Sequence, residues 1–316
     1  MSGKNHSLKV VFMGTPEFAV TSLEAILREG FDVRAVVTVP DKPAGRGRQP
    51  MESAVKQFAL QKGLTVLQPE KLRDEGFLRE LQSLSADLFV VVAFRMLPEV
   101  VWSMPPMGSI NLHGSLLPQY RGAAPIHRAV MNGETKTGVT TFFLQQEIDT
   151  GKIILQREMS IGPNETTGEV HDRMMELGAQ VLVETLALIE QGSAKGQDQQ
   201  TMITSEINHA PKIFKEECMI SWELSAQQVH NFIRGLSPYP CAFTMLSGKT
   251  LKIFRGLPSE KDSGTPGSIR TDGKTFLRIA CDSGSYEVLE LQLEGKKRMQ
   301  IQEFLRGFSL FPARID

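Results

Sequence analysis

Asn111 and His113 stand two residues apart in the run Ile110-Asn111-Leu112-His113, immediately before Gly114 and a loop. In a strand that spacing points both side chains to one face. An amide donor beside an imidazole at the carboxyl end of a strand can stabilise negative charge developing on a carbonyl oxygen. The same two side chains could instead satisfy backbone groups at the strand end. Asp149 lies in the polar turn Asp149-Thr150-Gly151 after another apolar run. If the two strands are neighbours, its carboxylate reaches the same sheet edge, favours a protonated imidazole and fixes its tautomer. One histidine without a second ligand at usable spacing predicts no metal. His127, His171 and His209 lack such company and read as surface or capping groups.

The scaffold for these groups is an alternation of apolar runs and helical patterns. Leu8 to Met13 reads as a buried strand, Glu17 to Glu29 as a helix stopped by Gly30, and Val33 to Val39 as the next strand. Ser53 to Lys62 reads as a helix with Ser53 as cap and Gly63 as stop. Leu88 to Ala93 is apolar on both faces, as a central parallel strand should be. Gly108 to Leu112 and Val139 to Leu144 are further strands; Ala123 to Met131 and Thr167 to Glu190 are helices. Strand–helix–strand alternation with short connections predicts an α/β domain with a mostly parallel sheet. Ligands collect at the carboxyl ends of the strands in such sheets, where Asn111 and His113 fall. The first turn, Gly14-Thr15-Pro16-Glu17-Phe18-Ala19, has one glycine where a dinucleotide fingerprint needs three. It reads as a structural corner.

Ser193 to Thr204 is polar and aperiodic, and reads as a linker. Beyond it a helix near Ala226 to Leu236 precedes short strands at Phe243 to Leu246, Leu251 to Arg255, Thr275 to Ala280 and Tyr286 to Leu293. Several short strands with turn signals predict a small barrel. The expected division is 1–192, a linker 193–210, and 211–316.

Length and charge fit that division. The chain has 316 residues, 41% hydrophobic and 22% charged, with a formal net charge of −1, so a core is available and a global basic field is not. Any nucleic-acid contact must come from local patches. The loop 40–50, PDKPAGRGRQP, carries Lys42, Arg46 and Arg48 against Asp41, and its proline and glycine content argues against regular structure. It is either a solvated basic loop or a segment that orders against a phosphate backbone. Lys296-Lys297-Arg298 forms a second basic cluster that could extend the same track. Three cysteines without C-x-x-C spacing predict free thiols in a reducing compartment. No apolar leader opens the chain and no run is long enough to span a bilayer, so a cytoplasmic protein is expected.

The run HGSLLPQYRGAAPI, with Asn111 before it and Asp149-Thr150-Gly151 after it, resembles the signatures of the 10-formyltetrahydrofolate-dependent formyltransferases. The resemblance implies a Rossmann-like N-terminal domain in which Asn111, His113 and Asp149 are catalytic. It also implies that Ser115, Leu116, Leu117 and Pro118 line the folate site, with Phe94, Arg95, Met96 and Leu97 at the pterin pocket. The opening VFMGTPEFAV, the loop PDKPAGRGRQ and the run GKKRMQIQEFLRG are similar to the branch acting on methionine carried by initiator tRNA. For that branch the implied C-terminal domain is an OB-like tRNA-binding β-barrel, and Lys42, Arg46, Arg48, Lys296, Lys297 and Arg298 are the implied tRNA contacts. A monomer with 10-formyltetrahydrofolate as formyl donor, no metal and no membrane partner is expected. The chain departs from the common signature at Gln119 and Tyr120, where Arg and Trp are usual. It departs again at Phe94 to Leu97, where Ala93 is followed by Phe-Arg-Met-Leu rather than Tyr-Gly and an apolar pair.

The implied chemistry is attack by a neutral amine on the formyl carbon. Asn111 and protonated His113 would stabilise the oxyanion, while Asp149 holds His113 charged and accepts the amine proton. Glycinamide-ribonucleotide and sugar-nucleotide formyltransferases and formyltetrahydrofolate hydrolases share the same three residues, and the basic loop and second domain weigh against them. A catalytically silent folate- or tRNA-binding protein is the alternative of another class, and binding alone would not need all three groups.

Overall fold

Leu88-Phe89-Val90-Val91-Val92 is buried along its whole length, which requires a sheet covered on both faces. The computed structural model describes residues 6–44, 49–261 and 264–307. They form two compact units, each drawn from several stretches of chain. The first comprises residues up to Gly122, Gly138–Met159 and His171–His209; the second comprises Ala123–Thr137, Ser160–Val170 and residues from Ala210 onward. The last passage between them, at 209–210, falls in the expected linker, but two earlier stretches also belong to the second unit.

In chain order the first 190 residues form β1 (Lys9–Gly14), α1 (Glu17–Glu29), β2 (Asp32–Val37), β3 (Lys42–Ala44), β4 (Gln49–Met51), α2 (Ala54–Gln61), β5 (Val66–Leu67), α3 (Glu75–Ser83), β6 (Leu88–Val92) and α4 (Glu99–Trp102). They continue with β7 (Ser109–His113), α5 (Pro125–Met131), β8 (Lys136–Phe143), β9 (Ile153–Ser160) and α6 (Thr167–Glu190). Seven strands pair in the order β5-β2-β1-β6-β7-β8-β9. The pairs from β5 through β7 are parallel, and β8 runs antiparallel to β7. This is the expected Rossmann-like domain.

Local chemistry accounts for the element ends. Gly30 stops α1 in the left-handed conformation at φ 89°, its N–H bonded to the Ile26 and Leu27 carbonyls. The Ser53 hydroxyl caps α2 by accepting the Lys56 N–H at 3.1 Å, as the sequence predicts. At the first turn a Cβ on Gly14 would lie 2.6 Å from the Ala19 Cβ, so this glycine permits close strand–helix packing. At the other end of the unit, Glu190 accepts N–H bonds from Ser7 (2.7 Å) and Leu8 (3.0 Å) and pairs with His6, whose ring stacks on Phe31. That cluster ties the lead-in to β1 to the end of α6.

The basic loop departs from expectation. Lys42–Ala44 and Gln49–Met51 pair as a two-stranded antiparallel ribbon, with Pro43 opposite Pro50. Two residues without N–H suit a non-hydrogen-bonded position, where a ladder loses nothing to proline. Arg46 and Arg48 lie outside the described residues. The foot of the ribbon is tied down: Lys56 Nζ meets Asp41 at 2.5 Å and Glu52 at 3.0 Å, and Gln68 Nε2 donates to Asp41 and to the Val39 carbonyl. Lys56 and Gln68 hold the Asp41 carboxyl below the usual range.

The second unit is built on α7 (Ala226–Leu236), whose N-terminus carries a reciprocal capping box between Ser225 and Gln228. Its strands are β10 (Ala242–Leu246), β11 (Lys249–Ser259), β12 (Ile269–Thr271), β13 (Leu277–Ala280), β14 (Ser285–Leu293) and β15 (Met299–Gln300), followed by α8 (Ile301–Gly307). The ladder runs β10-β11-β14-β13-β12 with β15 against β14, a small antiparallel sheet in the domain expected to be a barrel. Val229, Ile233, Ile253, Tyr286, Val288 and Leu291 lie at its centre, fully buried. α5 packs against α7 so closely that a Cβ on Gly235 would lie 2.4 Å from Met131 Cγ. All three cysteines, Cys218, Cys241 and Cys281, are free and buried in this unit.

Candidate active site

β7 places Asn111 and His113 on one face at its carboxyl end, opposite Phe142 and Thr140 of β8. The Asn111 amide is partly exposed and makes no side-chain hydrogen bond among the described residues. It therefore does not serve the backbone, and its donors remain available to a bound oxygen. His113 is buried, 6% exposed, and its Nε2 lies 2.9 Å from the Tyr120 carbonyl. A carbonyl can only accept, so Nε2 carries a hydrogen, and Nδ1 is the nitrogen left to face the site. His113 thus combines a backbone anchor with a second, poised ring position.

Asp149 faces that position, with Oδ2 3.8 Å from His113 Nδ1. This gap is longer than a hydrogen bond, so Nδ1 can still meet a third group. Oδ2 accepts the Gly122 N–H at 2.9 Å. Asp149 stands in the left-handed region at φ 55°, a conformation that needs support from its surroundings. Thr150 Oγ1 donates to the Glu147 carbonyl at 3.0 Å, closing the turn. Gly151 presses against β8, where a Cβ would sit 1.6 Å from the Phe143 carbonyl oxygen; only glycine fits there.

The segment expected to be a linker takes part in this arrangement. Gln197 bridges Ile153, and a 3₁₀ turn at Gln199–Met202 is capped by the Asp198 side chain. Gln199 is 1% exposed. Its Nε2 donates to the Asp149 and Gly151 carbonyls at 2.9 and 2.8 Å, and its Oε1 accepts from Arg121 Nε and Nη2 at 3.0 and 2.6 Å. Nothing in the polar run 193–204 distinguishes Gln199 from its neighbours, because its partners lie far away in sequence. Thr140 and Gln156 are equally silent in the sequence. Thr140 Oγ1 donates to the Ser115 carbonyl and accepts the Leu117 N–H, and Gln156 Nε2 donates to the Leu117 carbonyl.

Those bonds fix the loop 115–118. Ser115 is buried and bonds the Gln119 carbonyl at 2.6 Å, and Leu117 packs with Phe142 and Ile153. Pro118 is buried and Leu116 half-buried. The side chains of Ser115 and Leu117 thus hold the loop's own shape. Residues 94–97 follow β6, the parallel neighbour of β7, and so share its carboxyl edge. Phe94 and Leu97 pack on the core, while Met96 is 73% exposed. The Arg95 guanidinium is committed to the Pro69 and Glu70 carbonyls.

The basic residues have different surroundings. Lys42 lies on β3. In the second unit, Arg298 forms a bidentate pair with Glu290 at 2.8 and 2.6 Å and lies over the Phe254 ring. The Glu290 bond is the main reason its pKa is raised. Lys297 pairs with Glu303 at 3.1 Å, and Lys296 is exposed. Of this cluster, Lys296 is the cation with least to give up on meeting an anion. Among the described residues no group of three or more His, Cys, Asp or Glu could hold a metal ion, and no helix is long and apolar enough to cross a membrane.

Comparison with known proteins agrees with this layout. The formyl transferase family profile matches residues 8–186, and the profile of its C-terminal domain matches 212–309. A methionyl-tRNA formyltransferase of Bacteroides fragilis is 51% identical over 98% of each chain. The protein of the same name from Parabacteroides distasonis is 52% identical over 96% of this chain and 97% of its own. Among solved structures, the sugar 3N-formyl transferase WlaRD, described with dTDP and 5-N-formyl-THF, superposes with a TM-score of 0.67 at 20% identity, covering 93% of this chain and 100% of its own. HypX from Aquifex aeolicus, solved with tetrahydrofolic acid, gives 0.65 at 18% identity over 94% of this chain and 47% of its own. At those identities the two structures share the fold.

Proposed function

The chain belongs to the formyl transferase family, and we propose that it transfers the formyl group of 10-formyltetrahydrofolate to the α-amino group of methionine on initiator Met-tRNA. The product, formylmethionyl-tRNA, serves translation initiation. The observation that carries the chemistry is an Asn111 amide, without a side-chain hydrogen bond among the described residues, beside a His113–Asp149 pair at the carboxyl edge of a parallel sheet. The choice of acceptor is supported by relatives about 50% identical over essentially the whole chain that bear the matching name.

Folate, when bound, supplies an activated one-carbon unit. The residues present suit that chemistry, because Asn111 Nδ2 and His113 Nδ1 are donors able to converge on one oxygen as it gains negative charge. Holding donors in place beforehand avoids reorganisation at the moment of reaction, and this is where most of the rate gain originates. Asp149 Oδ2 is anchored by the Gly122 N–H, which leaves Oδ1 to accept the amine proton as the new N–C bond forms and to pass it to the departing tetrahydrofolate nitrogen as that nitrogen's bond to the formyl carbon breaks. The loop Ser115 to Pro118 and residues Phe94 to Leu97 form the folate side of the site. Arg95 acts there through its grip on the 69–70 backbone, and Met96 offers the exposed apolar contact. The unit that holds residues up to Gly122, Gly138–Met159 and His171–His209 carries the chemistry, and the unit that continues from Ala210 onward engages the tRNA. Lys42, Arg46, Arg48, Lys296, Lys297 and Arg298 are the tRNA contacts. The protein works in the cytoplasm as a monomer.

The test is a formylation assay that offers Met-tRNA, free methionine and an amino-sugar nucleotide side by side. Formyl transfer to Met-tRNA alone is expected. Transfer only to the sugar would overturn the acceptor, and transfer to none of them would leave a binding protein.

A further inference from the structure

Gln199 is a buried amide in a segment whose sequence has every mark of a tether. Its side chain has two N–H donors and an oxygen with two acceptor positions, and all four are used. The donors go to the carbonyls of Asp149 and Gly151, on either side of Thr150. The acceptor takes two guanidinium nitrogens of Arg121. Arg121 is flanked by the two residues whose backbones fix the reacting pair: the Tyr120 carbonyl orients His113, and the Gly122 N–H holds Asp149. One side chain therefore joins the segment that sets the histidine to the segment that sets the carboxylate.

We propose that Gln199 is a positioning residue for the reaction, fixing the separation of His113 and Asp149 through the backbones of 120–122 and 149–151. The proposal rests on the roles given to His113 and Asp149 above. Both segments need such a brace, because Tyr120 (φ 61°) and Asp149 (φ 55°) adopt backbone conformations that side chains disfavour. Without it, the turn at Asp149 can relax toward ordinary geometry and carry the carboxylate off the ring nitrogen. Small displacements of a reacting group cost much more rate than affinity. Gln199 touches no atom expected to react, so its loss acts on turnover through Asp149.

The experiment compares the full chain with Gln199→Met, which keeps the volume and removes every bond, and with Arg121→Met as a second route to the same brace. Formylation of Met-tRNA is followed against pH, with a melting curve for each variant. The expected result is a fall in kcat on the order of 10- to 100-fold with KM for both substrates little changed. The pH profile of kcat should move, because the distance between His113 and Asp149 has changed. In an Asp149→Asn background the same substitution should cost nothing further. Two results would overturn the proposal: kcat within about threefold of wild type, or a loss that only follows the unfolded fraction with the pH profile unmoved. The proposal and the reading beneath it fail separately. An active wild type with a near-normal Asp149→Asn removes the catalytic pair. A dead Asp149→Asn beside a normal Gln199→Met removes only the brace.

Discussion

His113 and Asp149 have unequal freedom, and that shapes what their replacement should do. The ring is held by the Tyr120 carbonyl, while the carboxylate has a backbone N–H on one oxygen and an open second oxygen. Asp149→Asn keeps the shape and removes the charge and the proton acceptor. Turnover should fall by about 100- to 10,000-fold while both substrates still bind, as measured by single-turnover formylation alongside equilibrium titration. Asn111→Ala should lower kcat by about 100- to 1,000-fold, the usual cost of one oxyanion donor. Near-normal rates in either variant would remove that residue from the mechanism. At this scale the sequence is legible wherever chemistry leaves a local trace. Asn111 and His113 are two apart on one strand, and Asp149 opens a recognisable turn. Gln199, Thr140 and Gln156 leave none, since an amide or hydroxyl gains meaning only from partners that the fold brings to it.

Among the elements, α1, α6 and α7 follow from periodicity, with Gly30 marking the end of α1, and their ends are intact. β9 and the β3–β4 ribbon do not follow from the sequence pattern. β9 is half-exposed and carries no clear alternation, and the ribbon is built from two proline-bearing runs that read as irregular, tolerated because Pro43 and Pro50 face each other. The join between β1 and α6 gives a pH prediction. His6 foremost, and then the Leu8 and Ser7 N–H groups, hold the Glu190 carboxyl down at about 2 against the raising effect of burial, from an ordinary 4.5. A depressed folded-state pKa stabilises the protein above the ordinary value, and the benefit is lost as pH falls toward the depressed one. Melting temperature should therefore decline between about pH 4.5 and 2, and more gently in Glu190→Gln, which starts lower. Parallel curves for the two proteins would show that Glu190 contributes nothing to the acid limb.

Over the whole molecule, the chain does not divide at one point. A cut after residue 209 separates 123–137 and 160–170 from the remainder of the unit they belong to. The fragment 1–209 would expose Ile126, Ala129 and Val130 of α5, whose partner α7 has been removed. It should melt well below the full chain and bind hydrophobic dye or aggregate, as judged by circular dichroism and gel filtration. A fragment that melts as cooperatively and as high as the intact protein would contradict this. The distribution of thiols has a separate use. Cys218, Cys241 and Cys281 all lie in the second unit, and burial raises each pKa, to about 12 for Cys241 and about 11 for Cys281. Only the thiolate reacts with an alkylating reagent, so the native protein is almost inert to one. Labelling must wait for the second unit to open, and its rate is a clock for that opening alone, running without any added probe while the catalytic unit stays silent.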